Sequence, residues 1–320
     1  MAEVFDTLLL LALPASGKSE VRNYLTHKDP ARFHMGPTVQ LDDYPYVHLQ
    51  IRLDEELVKR GQPRLFHSYD GGPFNAGWHW GALIRLLDED YAEVRSGVAE
   101  VPAQAALHLF ERLDRASVQA GGEARIAALD EALRAELAGV LEAEARALYE
   151  EKAKNVPESL EGRTVVIEFA RGGEMNLVPL PDGYGYAGSL RHFSAELLAR
   201  AAILYIWVEP HESRRKNRAR ARPDGQGSIL FHGTPEPVMY EEYGRDDMGE
   251  LLAAARKEGT LPITAGGVDF DIPFARFDNR IDKTSFLRGD PSEWTEAEVA
   301  PLDAAIFPAT EALWAAVQSR

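Results

Sequence analysis

The stretch TLLLLALPASGKSE, residues 7–20, runs from a short apolar segment into a turn of small residues and then Lys18-Ser19. Two readings compete for it. A secretory leader needs a basic segment ahead of an apolar run of about 7–15 residues. Here the preceding residues, Met1-Ala2-Glu3-Val4-Phe5-Asp6, are acidic, and the apolar run covers only residues 8–13. The stretch therefore reads as a buried strand over 4–13, ended by Pro14, that feeds a loop and then a helix. That helix is expected over 19–26, with Val21, Tyr24 and Leu25 on one face.

Composition narrows the class. A chain of 320 residues can bury a full core in one large or two moderate domains. The absence of cysteine excludes disulfides and thiolate metal sites and fits a reducing cytoplasm. A net charge of −16 argues against a broad nucleic-acid surface, which would need Lys and Arg to meet phosphates. No apolar stretch approaches the roughly 18 residues that a membrane span requires. The expectation is an acidic, soluble, cytoplasmic protein with no membrane partner.

Further strands are expected over 38–41, ending at Asp42-Asp43, over 162–173, over 201–210 and, more weakly, over 272–279. Helical patterns separate them, which predicts an α/β protein with a mostly parallel five-stranded sheet. The chain reads as one unit with two long excursions. The first, about 44–161, carries Ile126, Leu129, Leu133, Leu137, Val140 and Leu148 at roughly helical spacing. It reads as a large helical insertion packed on itself or on the core; a helical pair that forms a homodimer is the alternative. The second, about 209–267, holds an arginine run, many glycines and prolines, and a short amphipathic helix near 250–257. It reads as a lid too polar to pack firmly against the core.

The loop after the first strand matches G-x-x-x-x-G-K-[ST] at three of four fixed positions, as Ala12-Leu13-Pro14-Ala15-Ser16-Gly17-Lys18-Ser19. In that pattern backbone N–H groups wrap phosphates, the lysine reaches their oxygens and the hydroxyl ligates Mg2+. Ala12 replaces the first glycine, which works if its φ stays negative.

These residues resemble those of P-loop kinases of the nucleoside and nucleotide kinase type, similar in motif pattern to uridine kinases and phosphoribulokinases. The resemblance covers about 4–43, 162–222 and 272–285. It rests on the loop, on the acidic pair and aromatic Asp42-Asp43-Tyr44, on Glu168 at the end of Val165-Val166-Ile167, and on the run Arg214-Arg215-Lys216-Asn217-Arg218-Ala219-Arg220. Phe169 stands where the family usually has glycine. The resemblance implies the three-layer P-loop fold, ATP or another nucleoside triphosphate, Mg2+, and a hydroxyl acceptor such as a nucleoside, nucleotide or sugar derivative.

The residue roles follow. Ala15, Ser16, Gly17, Lys18 and Ser19 would hold the triphosphate. Asp42 is the first choice for the base acting on the acceptor hydroxyl and Asp43 the second, although aspartate also caps helices. Glu168 with Ser19 would hold Mg2+. Arg214 and Arg218, at i, i+4 spacing, would face the phosphates, joined by Arg222 if the helix continues. Arg280 would stack on the adenine. In HSYDGGPFNAGWHWGALIRLL, residues 67–87, Asp70, Phe74, Trp78 and Trp80 are the acceptor candidates. His67 and His79 read as ordinary polar histidines, and FHGTPEPVMYEEYG as an ordered loop without a chemical role. A polynucleotide or toxin-type kinase on the same fold, and a non-kinase ATP-binding regulatory module, are the alternatives.

Overall fold

The computed structural model describes residues 3–220 and 233–320. Its centre is strand β1 (Thr7–Leu11), buried at every position. Because side chains alternate along a strand, Leu9 and Leu11 enter one apolar cluster while Leu8 and Leu10 enter another on the opposite face. Strands β2 (Thr38–Asp42), β3 (Thr164–Phe169), β4 (Ala201–Trp207), β5 (Thr260–Ala265) and β6 (Val268–Asp278) complete the sheet, in the order β2-β3-β1-β4-β6-β5. Five strands are parallel; β5 pairs antiparallel with β6. The sheet thus has six strands and not the expected five. The additional strand lies at the end of the second excursion, where Pro262 masks it in the sequence. Proline is tolerated on an edge strand, and β5 is one.

Helices α1 (Lys18–Thr26) and α2 (Pro30–Phe33) follow β1; α3 (Tyr44–Lys59), α4 (Trp78–Ser96), α5 (Ala105–Gln119) and α6 (Glu131–Asn155) follow β2. After β3 come α7 (Gly185–Leu190) and α8 (Ala195–Arg200). After β4 come α9 (Pro210–Arg220), α10 (Glu236–Glu241) and α11 (Met248–Ala253), and the chain closes on α12 (Glu296–Gln318). One sheet face is covered by α1 and α12, through Val21, Tyr24, Leu25, Leu302 and Ile306. The other is covered by α4, α7 and α8, through Ile84, Leu87, Tyr186 and Leu197. Among the described residues no helix is long and apolar enough to cross a membrane.

The first excursion is helical, as expected, but its buried stripe differs. On α6 the row Leu137, Leu141, Ala145 and Tyr149 is buried at i, i+4 steps, whereas Val140 is exposed. The excursion is also no separate body. Helix α4 sends Trp80, Leu83 and Leu86 into the helical cluster and Ile84, Leu87 and Tyr91 toward the sheet. A buried polar knot fixes α3 against it. Arg112 donates from Nη2 to Asp90 Oδ1 at 2.7 Å and from Nε to Glu89 Oε2 at 2.8 Å, while the Tyr46 hydroxyl donates to Asp90 Oδ2 at 2.7 Å. Removing one member of a buried pair costs about 3–5 kcal/mol, because its partner is left uncompensated. Arg112→Ala should lower the unfolding free energy by that amount in denaturant titration; a loss below about 1 kcal/mol would mean the knot does not hold these helices.

Candidate active site

The loop between β1 and α1 is held in a turn that few residues adopt. Gly17, the N-cap of α1, has φ 101°, and a Cβ there would lie 2.5 Å from Thr284 Oγ1. Glycine is required on both counts. Ala15 also has positive φ, at 56°, whereas Ala12 does not, as its place at the first motif position demanded. Two distant segments pin the loop: Ser213 Oγ on α9 donates to the Pro14 carbonyl at 2.7 Å, and Asn279 Nδ2 donates to the Ser16 carbonyl at 2.9 Å. Gly17 makes no side-chain cap, so α1 begins with backbone N–H groups and the positive end of its dipole facing the turn. Lys18 curls back over it, Nζ lying 3.4 Å from the carbonyls of Ala12 and Leu13.

Parallel pairing sets carboxylates beside this turn. Asp42 on β2 is in register with Glu168 on β3. Glu168 Oε2 accepts from the Ser19 hydroxyl at 3.1 Å, and its Oε1 accepts from Arg22 Nε at 2.5 Å. Burial, then Asp43, then Glu168 push the Asp42 carboxyl up to about 7. Its Oδ1 accepts the Tyr44 N–H at 3.1 Å, a local turn contact. Asp43 occupies the N-cap position of α3 without capping it. Its carboxylate instead accepts from Arg171 Nη1 at 2.7 Å. Arg171, 1% exposed, also donates to Ser189 Oγ at 2.9 Å and lies 4.6 Å from the Trp80 ring centroid.

A cavity of about 340 Å³ opens at Asp43. Phe74, Trp80, Tyr243, Val47, Ile51 and Val238 form its apolar walls. Asp70 stands at its rim, paired at 3.5 Å with Arg64. Of the four acceptor candidates, Asp70, Phe74 and Trp80 line this cavity. Trp78 does not: it lies against His79 and Gly122, with the Arg125 guanidinium 5.0 Å from its ring centroid. Two residues along a helix are about 200° apart, so Trp78 and Trp80 point to different sides. His67 is bound to the buried Asp54 at 3.0 Å, and burial pushes His79 down to about 3. Glu242 closes the cavity wall, accepting the Phe74 N–H at 3.0 Å, and burial pushes its carboxyl up to about 8.

The arginine-bearing helix is docked more firmly than its composition suggested. Besides Ser213, α9 buries Lys216 against Asp282 at 2.9 Å and ties Asn217 to Thr234 in both directions. Arg214 and Arg218 share a face, as their spacing implied. Arg214 sits 4.8 Å from the Tyr240 ring centroid with Nη1 buried and without a hydrogen-bond partner among the described residues, and Arg218 meets Glu236. Arg222 lies outside the described residues. Arg280 is engaged by Asp278 and lies 3.7 Å from the Trp207 ring centroid. The segment after β6 reaches the loop through Asn279 and Thr284, not through Arg280.

No protein family, curated protein or solved structure matches this chain. The site thus stands on its own geometry. Among the described residues no group of three or more His, Cys, Asp or Glu is arranged to hold a metal. The adjacent hydroxyl of Ser19 and carboxylate of Glu168 are hard oxygen donors of the kind Mg2+ takes together with ligand oxygens. Arg22, Arg171 and Glu242 were missed in the sequence. Arg171 stands two residues past β3, Arg22 one helical turn after Lys18, and Glu242 in the loop to which no role was given.

Glu242 offers a test of the cavity wall. Its proton is kept up to about 8 in the folded protein, against an ordinary value of 4.5 once unfolded. Between those values the folded chain binds more protons, so this group makes stability fall as pH rises. Glu242→Gln keeps an acceptor for the Phe74 N–H. The stability of the variant relative to wild type should therefore increase from about pH 5 to about pH 8.5 in denaturant titrations. A pH-independent difference would contradict the buried, proton-holding carboxyl.

Proposed function

We propose that this chain is an ATP- and Mg2+-dependent phosphotransferase that acts on a hydroxyl of a small molecule. The observation that carries this reading is one unbroken path. It runs from the turn at Lys18-Ser19 to Glu168, across the strand register to Asp42, and by the next residue, Asp43, into the cavity. A nucleotide-binding regulatory module would use the turn but has no need of a cavity at its carboxylates.

Phosphoryl transfer asks the protein for positioning and for charge neutralisation. The N–H groups of Ala15, Ser16, Gly17, Lys18 and Ser19 would wrap the phosphates, with the α1 dipole behind them. Lys18 would leave its two carbonyls for a phosphate oxygen. Ser19 and Glu168 would hold Mg2+, Arg22 giving up Oε1; the ion would neutralise charge on the β and γ phosphates. Arg214, whose Nη1 has no hydrogen-bond partner among the described residues, and Arg218 beside it are on the helix that touches the turn. The acceptor hydroxyl would lie at the Asp43 end of the cavity. Its oxygen bonds to the γ-phosphorus, its proton passes to Asp42, and the bond from that phosphorus to the β–γ bridging oxygen breaks, the electron pair leaving on ADP. A base with a pKa near 7 is suited to that proton transfer at neutral pH. Arg171 fixes Asp43 and keeps the hydroxyl's surroundings rigid.

Binding and turnover should separate by residue. Lys18→Ala should lose both ATP affinity and phosphate transfer, whereas Asp42→Asn should keep ATP affinity and lose about 10²–10⁴-fold in kcat. Titration with a fluorescent ATP analogue and a radiolabelled phosphate-transfer assay measure the two. Full activity in Lys18→Ala would refute the nucleotide assignment, and unchanged kcat in Asp42→Asn with collapse in Asp43→Asn would move the base by one residue.

A further inference from the structure

The cavity at Asp43 also carries information about what it accepts. Its described basic side chains are already met by carboxylates. Arg64 faces Asp70 at 3.5 Å, His67 faces the buried Asp54 at 3.0 Å, and His48 faces Glu144 at 3.5 Å. Arg171, just behind the wall, is 1% exposed and committed to Asp43 at 2.7 Å. The remaining acidic group of the lining, Glu242, is 3% exposed and has its Oε1 on the Phe74 N–H. Burial holds it protonated at neutral pH. Among the described residues each basic side chain of the lining thus already has a carboxylate partner, and none is left for a ligand.

The other walls are flat or aliphatic. Phe74 and Trp80 meet edge to face, 4.8 Å between centroids, and Trp80 meets Tyr243 at 5.7 Å, so the aromatic surface is continuous. A volume of about 340 Å³ sits at the low end of the roughly 300–1,000 Å³ typical of small-molecule sites. A phosphomonoester brings a charge of about −1.5 to −2. Bound here, it would lose its water and find, among the described residues, only basic side chains that carboxylates already hold, and an uncompensated buried charge is strongly unfavourable.

Resting on the phosphotransferase reading, we infer that the acceptor is an uncharged hydroxylated molecule with a flat ring, such as an unphosphorylated nucleoside or aromatic alcohol, and not a phosphorylated sugar or nucleotide. The ring lies between the aromatic walls and the aliphatic side of α3, and the hydroxyl points to the Asp43 end. The reaction then leaves ADP and the first phosphate on that molecule.

The test uses the full chain with Mg2+ and radiolabelled ATP against matched pairs: the common ribonucleosides and their 5′-monophosphates, ribose and ribose 5-phosphate, and benzyl alcohol derivatives with and without a phosphate. Turnover should be confined to uncharged ring compounds, with kcat/KM about 100-fold or more above that of the phosphorylated partner. A phosphorylated member preferred within its pair, or no turnover of any uncharged member, overturns the inference. Binding of an ATP analogue, and its loss in Lys18→Ala, is measured beside it. If that binding stands while the acceptor preference fails, only the acceptor class is wrong; if that binding is absent, the phosphotransferase reading falls too.

Discussion

The parallel pairing of β1 with β3, from Thr7 opposite Val165 to Leu11 opposite Phe169, is the constraint on which the rest of the site depends. It brings the turn after β1 and the carboxylate near the end of β3 to the same end of the sheet, although Ser19 and Glu168 are 149 residues apart in the chain. The hydrogen bond from Ser19 to Glu168 is the local consequence. Pairing of β3 with β2 then sets Asp42 opposite Glu168, and α3, which starts at Tyr44, carries the next residues around the cavity. A register slip of one residue in either pair would turn these carboxylates to the other face and dismantle the site.

Three carboxylates gathered at one end of the sheet repel one another, and the protein answers with arginines. Arg22 neutralises Glu168 and Arg171 neutralises Asp43. Asp42 receives no such partner at hydrogen-bond distance among the described residues, and burial beside Asp43 and Glu168 pushes its carboxyl up to about 7. A carboxyl raised in this way is suited to exchanging a proton near neutral pH. The chain as a whole carries a net charge of −16, yet Lys18 lies over the turn and Arg22 beside Glu168.

How much was legible in the sequence depended on whether the signal was local. The turn was, because glycine, lysine and serine at fixed spacing follow a buried strand, and so were Asp42 and Glu168 as strand-end acids. The cavity walls were only partly legible. Trp78 and Trp80 look equivalent in a row of residues and cease to be once a helix separates them by about 200°. Strand β5 was hidden by Pro262, which disfavours interior strands and is harmless on an edge. Arg171 and Glu242 were invisible, since their roles come from Asp43 and Phe74, 128 and 168 residues away. The docking of α9 was missed for the same reason: its composition is polar throughout, and only the fold brings Pro14, Asp282 and Thr234 to its buried side.

Calorimetry can decide whether the turn and the Ser19–Glu168 pair form a site for a magnesium-bound triphosphate, as proposed above. The whole chain is titrated with a non-hydrolysable ATP analogue, once with excess Mg2+ and once with a chelator. One site per chain is expected, bound at least about tenfold more tightly with Mg2+, with that difference lost in Glu168→Gln. No binding in the presence of Mg2+, or the same affinity with and without the ion, would contradict the proposal.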